Sequence, residues 1–188
     1  KDRMMKVNIE GTANVVNAAL NSSVKKFLHV SSIAAIGREE NSKLIDEKTE
    51  WKNNKLNSNY AISKFRAERE VWRGIAEGLN AVIVSPAVVI GEGNWNEGTC
   101  RFFKNCYDGL PAYTNGATGF VDVKDVAYAM IKLMESEINN ERFILVSENK
   151  SFKDFFFSIC DEMKKPHPKF EAKPWMTGIA WRLFAAKT

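Results

Sequence analysis

Tyr60 and Lys64 stand four positions apart in the stretch Asn57-Ser-Asn-Tyr-Ala-Ile-Ser-Lys-Phe65. On a helix that spacing puts a phenol and an ammonium on one face, one turn apart. A cation held near a phenol favours the phenolate, drawing the tyrosine pKa down from its reference of about 10. A tyrosine tuned in this way can give or take a proton at a carbonyl or carbinol oxygen. The pair alone is weak evidence, because its ordinary meaning is a surface tyrosine beside a solvated lysine. Its sequence context carries more. Upstream, Lys26-Phe-Leu-His-Val-Ser-Ser32 reads as a short buried strand that opens onto hydroxyls. Ligands of open α/β sheets bind at this carboxyl edge, where a serine could hydrogen-bond the same substrate oxygen and steady its charge. Downstream, Val84-Ser-Pro-Ala87 ends another strand at the same edge. Serine, then Tyr-x-x-x-Lys, then a strand ending at proline is far more specific than any one part.

The elements that must position these groups follow from periodicity. Residues 5–20 carry Val7, Val15, Val16, Ala19 and Leu20 at helical spacing. A polar loop is expected from Arg38 to Asn57, and a helix from Ser58 to about Gly78, where Gly-Leu-Asn is a stop signal. The run Asn80 to Gly91 is nearly continuous in β-branched residues, as a parallel strand covered on both faces requires. Pro86 cannot donate to a ladder, so the strand proper should finish near Ser85. Strand, helix and strand in alternation imply a crossover-connected parallel sheet. Beyond Gly91 the expectations are a loop to Gly98, a short helix from Thr99 to Tyr107 and a brief extended piece at Phe120-Val121. Then follow a capped helix from Asp122 with Val126, Ala129, Met130 and Leu133 on one stripe, a strand over Arg142–Val146, and helices over 152–163 and 175–186.

The chain has 188 residues, 45% hydrophobic and 27% charged, a globular composition able to bury a core. Its 27 basic and 23 acidic residues are well mixed, so neither nucleic acid nor a membrane surface is an expected partner. The densest basic run, Lys164-Lys-Pro-His-Pro-Lys169, reads as a solvated loop. Cys100, Cys106 and Cys160 lack metal-ligand spacing and are odd in number, so no metal and no disulfide framework is expected. Free thiols, with no membrane-length apolar run and no signal peptide, point to a cytoplasmic location. His29, inside an apolar strand, reads as a core residue.

Five segments in order resemble the extended short-chain dehydrogenase/reductase family, the NAD-dependent epimerase/dehydratase group, with a lean towards dihydroflavonol-reductase-like members. They are Asn8–Ala19, His29–Gly37, Tyr60–Lys64, Ser85–Gly91 and Gly119–Ala127. The resemblance implies an α/β fold: the second half of a Rossmann-like doubly wound parallel sheet, residues 1–94, with a small C-terminal substrate lobe, residues 95–188. Residues 119–148 of that lobe are expected to return to the sheet. It implies Tyr60 as acid/base, Lys64 on the nicotinamide ribose and depressing the Tyr60 pKa, and Ser32 polarising the substrate oxygen. Asn8 would support the cofactor and the proton relay. Ser31, Pro86, Ala87 and Val88 would fall on the cofactor side. Ile33, Ala34, Trp95, Phe102 and Tyr113 are candidates for the substrate pocket, although lobe core is the commoner role for such aromatic residues. The implied cofactor is NAD or NADP, and the implied partner a small-molecule substrate, with a homodimer as one option.

Departures from the family pattern narrow the chemistry. Dehydratases carry an Asp-Glu pair where this chain has Ala34 and Ala35. Many nucleotide-sugar epimerases place an arginine, a clamp for diphosphate, before the segment corresponding to Phe120-Val-Asp; here Asn115-Gly-Ala-Thr-Gly119 has none. The expected reaction is hydride transfer to or from a smaller carbonyl or alcohol, with epimerisation of a nucleotide sugar, or cofactor binding without catalysis, as alternatives. The family's glycine-rich strand–turn–helix, which holds a pyrophosphate on backbone amides, has no counterpart, and Gly91-Glu-Gly93 lacks its spacing. The chain therefore reads as a fragment starting in mid-domain, lacking on the order of 100 residues, and as stopping early after Thr188.

Overall fold

A computed structural model of the chain describes residues 2–37, 44–53 and 57–173. The helix expected over residues 175–186, and much of the polar loop before Asn57, lie outside the described residues. The chain divides into two compact units, one of Lys1–Ala87 with Val123–Val146 and one of Val88–Asp122 with Ser147–Thr188. The division falls after Ala87 rather than after residue 94, because the β-branched run is shared between two sheets.

In the first unit, α1 (Asp2–Asn21) leads to β1 (Phe27–Val30), a 3-10 turn (Ile33–Ala35), α2 (Asn59–Ala76) and β2 (Ala81–Pro86). Its remaining elements are α4 (Val123–Glu135) and β6 (Glu141–Leu145). The sheet order is β1-β2-β6, all parallel. Every residue of β2 is buried, which is what a continuous apolar strand in the middle of a covered sheet requires. Helices α1 and α2 pack together over one face, where Val16, Ala19, Val71, Leu79, Ala81 and Ile83 form the core. Helix α4 packs on β1 and β2.

Pro86 stays in the ladder, aligned with Leu145, one residue beyond the expected end. The missing donor falls where the neighbouring β1 has already ended, its last pair being Val30 with Val84, and the next amide, Ala87 N–H, donates to Leu145 O at 3.0 Å. The chain then enters the second unit as β3 (Val88–Ile90), followed by α3 (Cys100–Tyr107), β4 (Ala112–Thr114) and β5 (Ala117–Asp122). This unit closes with β7 (Glu148–Ser151), α5 (Phe152–Glu162) and β8 (Phe170–Ala172). Strand β5 pairs parallel with β3 and antiparallel with β7, while β4 pairs with β8. Its core is built from Cys106, Phe120, Phe155, Phe156, Ile159 and Cys160.

The basic run before β8 is more than solvated loop. His167 Nε2 lies 2.6 Å from Asp161 Oδ1 and its ring stacks on Phe157 at 4.2 Å. Lys165 sits over the Tyr107 ring at 4.0 Å and Pro168 is buried. Cys100, Cys106 and Cys160 are free thiols. Burial, with Cys160 beside it, pushes the Cys106 thiol well above the usual range. Among the described residues, no helix is long and apolar enough to cross a membrane and no His/Cys/Asp/Glu cluster could hold a metal.

Candidate active site

Helix α2 begins where Ser58 caps it. The Ser58 backbone is extended and its hydroxyl accepts from Ala61 N–H at 3.1 Å, satisfying one of the helix's unpaired first amides. That cap fixes Tyr60 in the first turn, 47% exposed, with Lys64 one turn further on. The Lys64 ammonium donates to the main-chain oxygen of Val30, the last residue of β1, at 2.9 Å. Burial holds Lys64 below the ordinary lysine range, and the Glu68 carboxylate opposes that shift.

Ser32 follows β1 with extended backbone (φ −164°, ψ 149°) and caps the 3-10 turn, its Oγ accepting from Ala34 N–H at 3.2 Å. Helix α2 packs on that turn. Ser32 and the Lys64 ammonium therefore lie at the carboxyl end of β1, inside the first unit, with Tyr60 one helical turn before Lys64. Ile33 and Ala34 are half-buried in the same turn. The turn ends at Gly37, whose φ of +93° favours glycine; a Cβ there would also stand 3.3 Å from the Trp51 ring. Trp51 in turn stacks on Phe65 of α2 at 4.3 Å.

Asn8 reaches the pair through an intermediary that the motif reading missed. Its Nδ2 donates to Ser63 Oγ at 2.9 Å, and the fully buried Ser63 donates to the Tyr60 carbonyl at 2.7 Å. The link ties α1 to the first turn of α2. Ser31, expected on the cofactor side, turns its hydroxyl inward and donates to Glu68 Oε2 at 2.5 Å. Glu68, 2% exposed, also accepts from Arg142 Nη1 at 3.0 Å and Trp72 Nε1 at 3.2 Å. Arg142 Nη2 donates to the Glu47 carbonyl, and the Glu47 carboxylate accepts from Ile144 N–H at 2.9 Å. Glu68 could have been suspected from its place four residues after Lys64; nothing local signalled Arg142.

His29 shares a sheet row with Ile83 and Arg142 on the α2 side. Burial, then Lys64, push its pKa down from 6.5 to about 4, with Glu68 opposing. Its Nε2 and the Ser85 hydroxyl are buried without a hydrogen-bond partner among the described residues.

Pro86 ends β2 and Ala87 follows it in the first unit, while Val88 starts β3 in the second. Trp95, Phe102 and Tyr113 also belong to the second unit. Trp95 is 44% exposed, edge-on to Tyr107 at 5.8 Å. Phe102 packs edge-on to Phe155 and Phe156 at 5.8 and 5.7 Å, and Tyr113 against Phe157 at 5.8 Å. Phe102, on α3, and Tyr113, on β4, are partly buried and pack against the lobe's core, where α3 meets α5.

The sequence profile of the NAD dependent epimerase/dehydratase family matches residues 1–145. A protein of Synechocystis sp., provisionally named dihydroflavonol 4-reductase, is 29% identical over 195 residues, which cover 96% of this chain and 55% of its own. Cinnamoyl-CoA reductase 1 of Petunia hybrida is 30% identical over 154 residues, 76% of this chain and 46% of its own. The crystal structure of gox2253 matches with a TM-score of 0.87 at 32% identity, over 96% of this chain and 56% of that one. The chain thus spans about half the length of the relatives it matches. The family match runs from α1 through β6, the last element of the first unit; the chain belongs to the NAD-dependent epimerase/dehydratase family, the extended short-chain dehydrogenases/reductases.

Proposed function

We propose that the full-length protein is an NAD(P)-dependent oxidoreductase acting on a small carbonyl or alcohol substrate, with Tyr60 as the group that exchanges the proton. The observation that carries the reading is the Lys64 ammonium at the end of β1, on the α2 face that also bears Tyr60. An ammonium has three donors. Val30 takes one, and the others are available to a ribose hydroxyl at the strand ends, where ligands of such sheets bind. Lys64 and Tyr60 fit the nicotinamide ribose end of a dinucleotide in this way; when bound, that group supplies or accepts the hydride.

The remaining work falls to side chains of this chain. Tyr60, half exposed at the helix start, hands its proton to the substrate oxygen or takes one from it. Ser32 donates a hydrogen bond to that oxygen and steadies its charge. Asn8, through Ser63, holds the turn that carries Tyr60. Ala34 and Ala35 offer neither acid nor base for removing water, and the reductase names of the Synechocystis and Petunia relatives favour carbonyl reduction. The residues up to Ala87, with 123–146, serve as the cofactor-side half and the rest as the substrate lobe. A cytoplasmic location accompanies the reading, supported by free thiols at Cys100, Cys106 and Cys160.

Tyr60→Phe in the full-length protein tests the proposal. Nicotinamide oxidation with a panel of aldehydes and ketones should fall ~10²–10⁴-fold, the range of general acid catalysis, while cofactor binding persists. Unchanged turnover would sink the assignment. Interconversion of nucleotide sugars without net nicotinamide oxidation would replace it with epimerisation.

A further inference from the structure

We propose that Glu68 is a positioning residue for the Tyr60–Lys64 pair, its anchored carboxylate keeping Lys64 a cation whose donors stay directed to the end of β1. The inference rests on the preceding reading of that pair as the proton-handling groups. An i, i+4 lysine and glutamate on an open helix would form an ion pair with each other. Here the carboxylate is already engaged: Oε1 takes Arg142 Nη1 and Trp72 Nε1, and Oε2 takes the Ser31 hydroxyl. Lys64 donates instead to Val30 O. The negative charge therefore acts on Lys64 through space without consuming a donor.

Stability alone does not account for this arrangement. The Arg142 and Glu68 side chains are 16% and 3% exposed, and a buried ion pair of this kind is often matched or bettered by apolar residues of similar volume. The groups around Glu68 fix the sign of its effect. From α2 come Lys64 and Trp72, from the end of β1 His29 and Ser31, and from β6 Arg142, which also holds Glu47. Burial keeps His29 neutral near physiological pH and pulls Lys64 down; Glu68 opposes both shifts. Removing its charge while keeping its shape must make a proton easier to lose from Lys64.

Glu68→Gln in the full-length protein should therefore shift the high-pH limb of kcat/KM for carbonyl reduction towards lower pH. The expected size is on the order of one pH unit, that of a charge about one helical turn away in a partly buried site. Glu68→Asp, which keeps the charge, should return the limb to within a few tenths of a unit of the parent, whereas a merely structural role would leave the limb unmoved in both. If Glu68→Gln folds poorly, Glu68→Asn is read against Glu68→Asp, a pair of equal size that differs only in the charge, and the same downward shift is expected between them. A well-folded variant lacking the Glu68 charge with an unmoved limb overturns the inference. Tyr60→Phe run alongside separates the two claims: an active Tyr60→Phe enzyme refutes the acid/base reading. An inactive one with an unmoved Glu68→Gln limb refutes the Glu68 role alone.

Discussion

A methyl group added at residue 74 measures how closely α1 and α2 must approach to hold the site. A Cβ on Gly74 would stand 2.5 Å from Val16 Cγ1 and 3.3 Å from Leu79 Cδ2. Val16 is fully buried and β-branched, so on its helix it has one strongly favoured rotamer and little room to turn. Helix propensity alone makes Gly→Ala favourable by ~0.8–1.0 kcal/mol. Forcing a methyl into a filled core costs roughly 1–3 kcal/mol. The clash wins, and Gly74→Ala should lower stability by up to about 2 kcal/mol. Gly11, on α1, is the control, because no described residue lies within 4 Å of a Cβ built there. Gly11→Ala gains the propensity term unopposed, ~0.8–1.0 kcal/mol. Urea unfolding of the full-length proteins reads both as midpoint shifts at constant slope, downward for Gly74→Ala and upward for Gly11→Ala. Val16→Ala should also cost less in the Gly74→Ala background than alone, since the deleted methyl is the one in the way. Shifts of the same sign for the two glycines, or strict additivity with Val16→Ala, would refute the packing argument.

The other expectations concern the groups beneath the pair. Ser63→Ala removes the bridge between Asn8 and the Tyr60 carbonyl; it should cost about 1–3 kcal/mol in unfolding experiments, the penalty of a half-buried amide losing its partner. It should lower kcat more than it raises KM; a cost in stability with unchanged kcat would restrict the bridge to a structural role. His29 has its folded pKa depressed to about 4 from 6.5, so as pH falls the unfolded chain takes up this proton first. Stability is complete above about pH 6.5 and declines as pH falls towards 4, by on the order of 3 kcal/mol at most. His29→Gln should flatten that part of the acid-unfolding curve, and identical slopes in variant and parent would count against a buried neutral imidazole.

What was legible in the sequence had strong local causes. The continuous apolar run of β2 and the start of α2 at Ser58 each sit where pattern alone puts them, and Tyr60 and Lys64 share a helix face as their spacing requires. The strand end at the proline was legible to within a residue, but the move of Val88–Ile90 to a second sheet was not, because nothing local in the Asn80–Gly91 run marks it. Long-range pairing divides the run, with Pro86 against Leu145 and Val88 against Phe120. Strand β7, Glu148-Asn-Lys-Ser151, has no apolar alternation and exists because β5 offers it an edge. Phe102 and Tyr113 could not be divided between pocket and core without α5, whose phenylalanines meet them. The Glu68–Arg142 pair joins residues 74 positions apart, beyond any local pattern.

Helical geometry gives the exposure of Tyr60 its meaning. At 3.6 residues per turn, eleven residues advance three turns and about 20°, so Tyr60 and Val71 lie on nearly the same azimuth of α2. Val71 is fully buried against the sheet. Lys64 and Glu68 lie roughly 40° and 80° round the same side, and Glu68 is buried. Tyr60 is therefore aimed by its helix towards the sheet side, yet nearly half its surface is open, one turn before the Lys64 that reaches the end of β1. A surface tyrosine beside a solvated lysine would lie on the outward stripe, with Arg66 and Arg69. A sheet-facing phenol left open one turn before a half-buried ammonium, with an anchored carboxylate beyond it, has the environment expected of a group that works on a bound molecule.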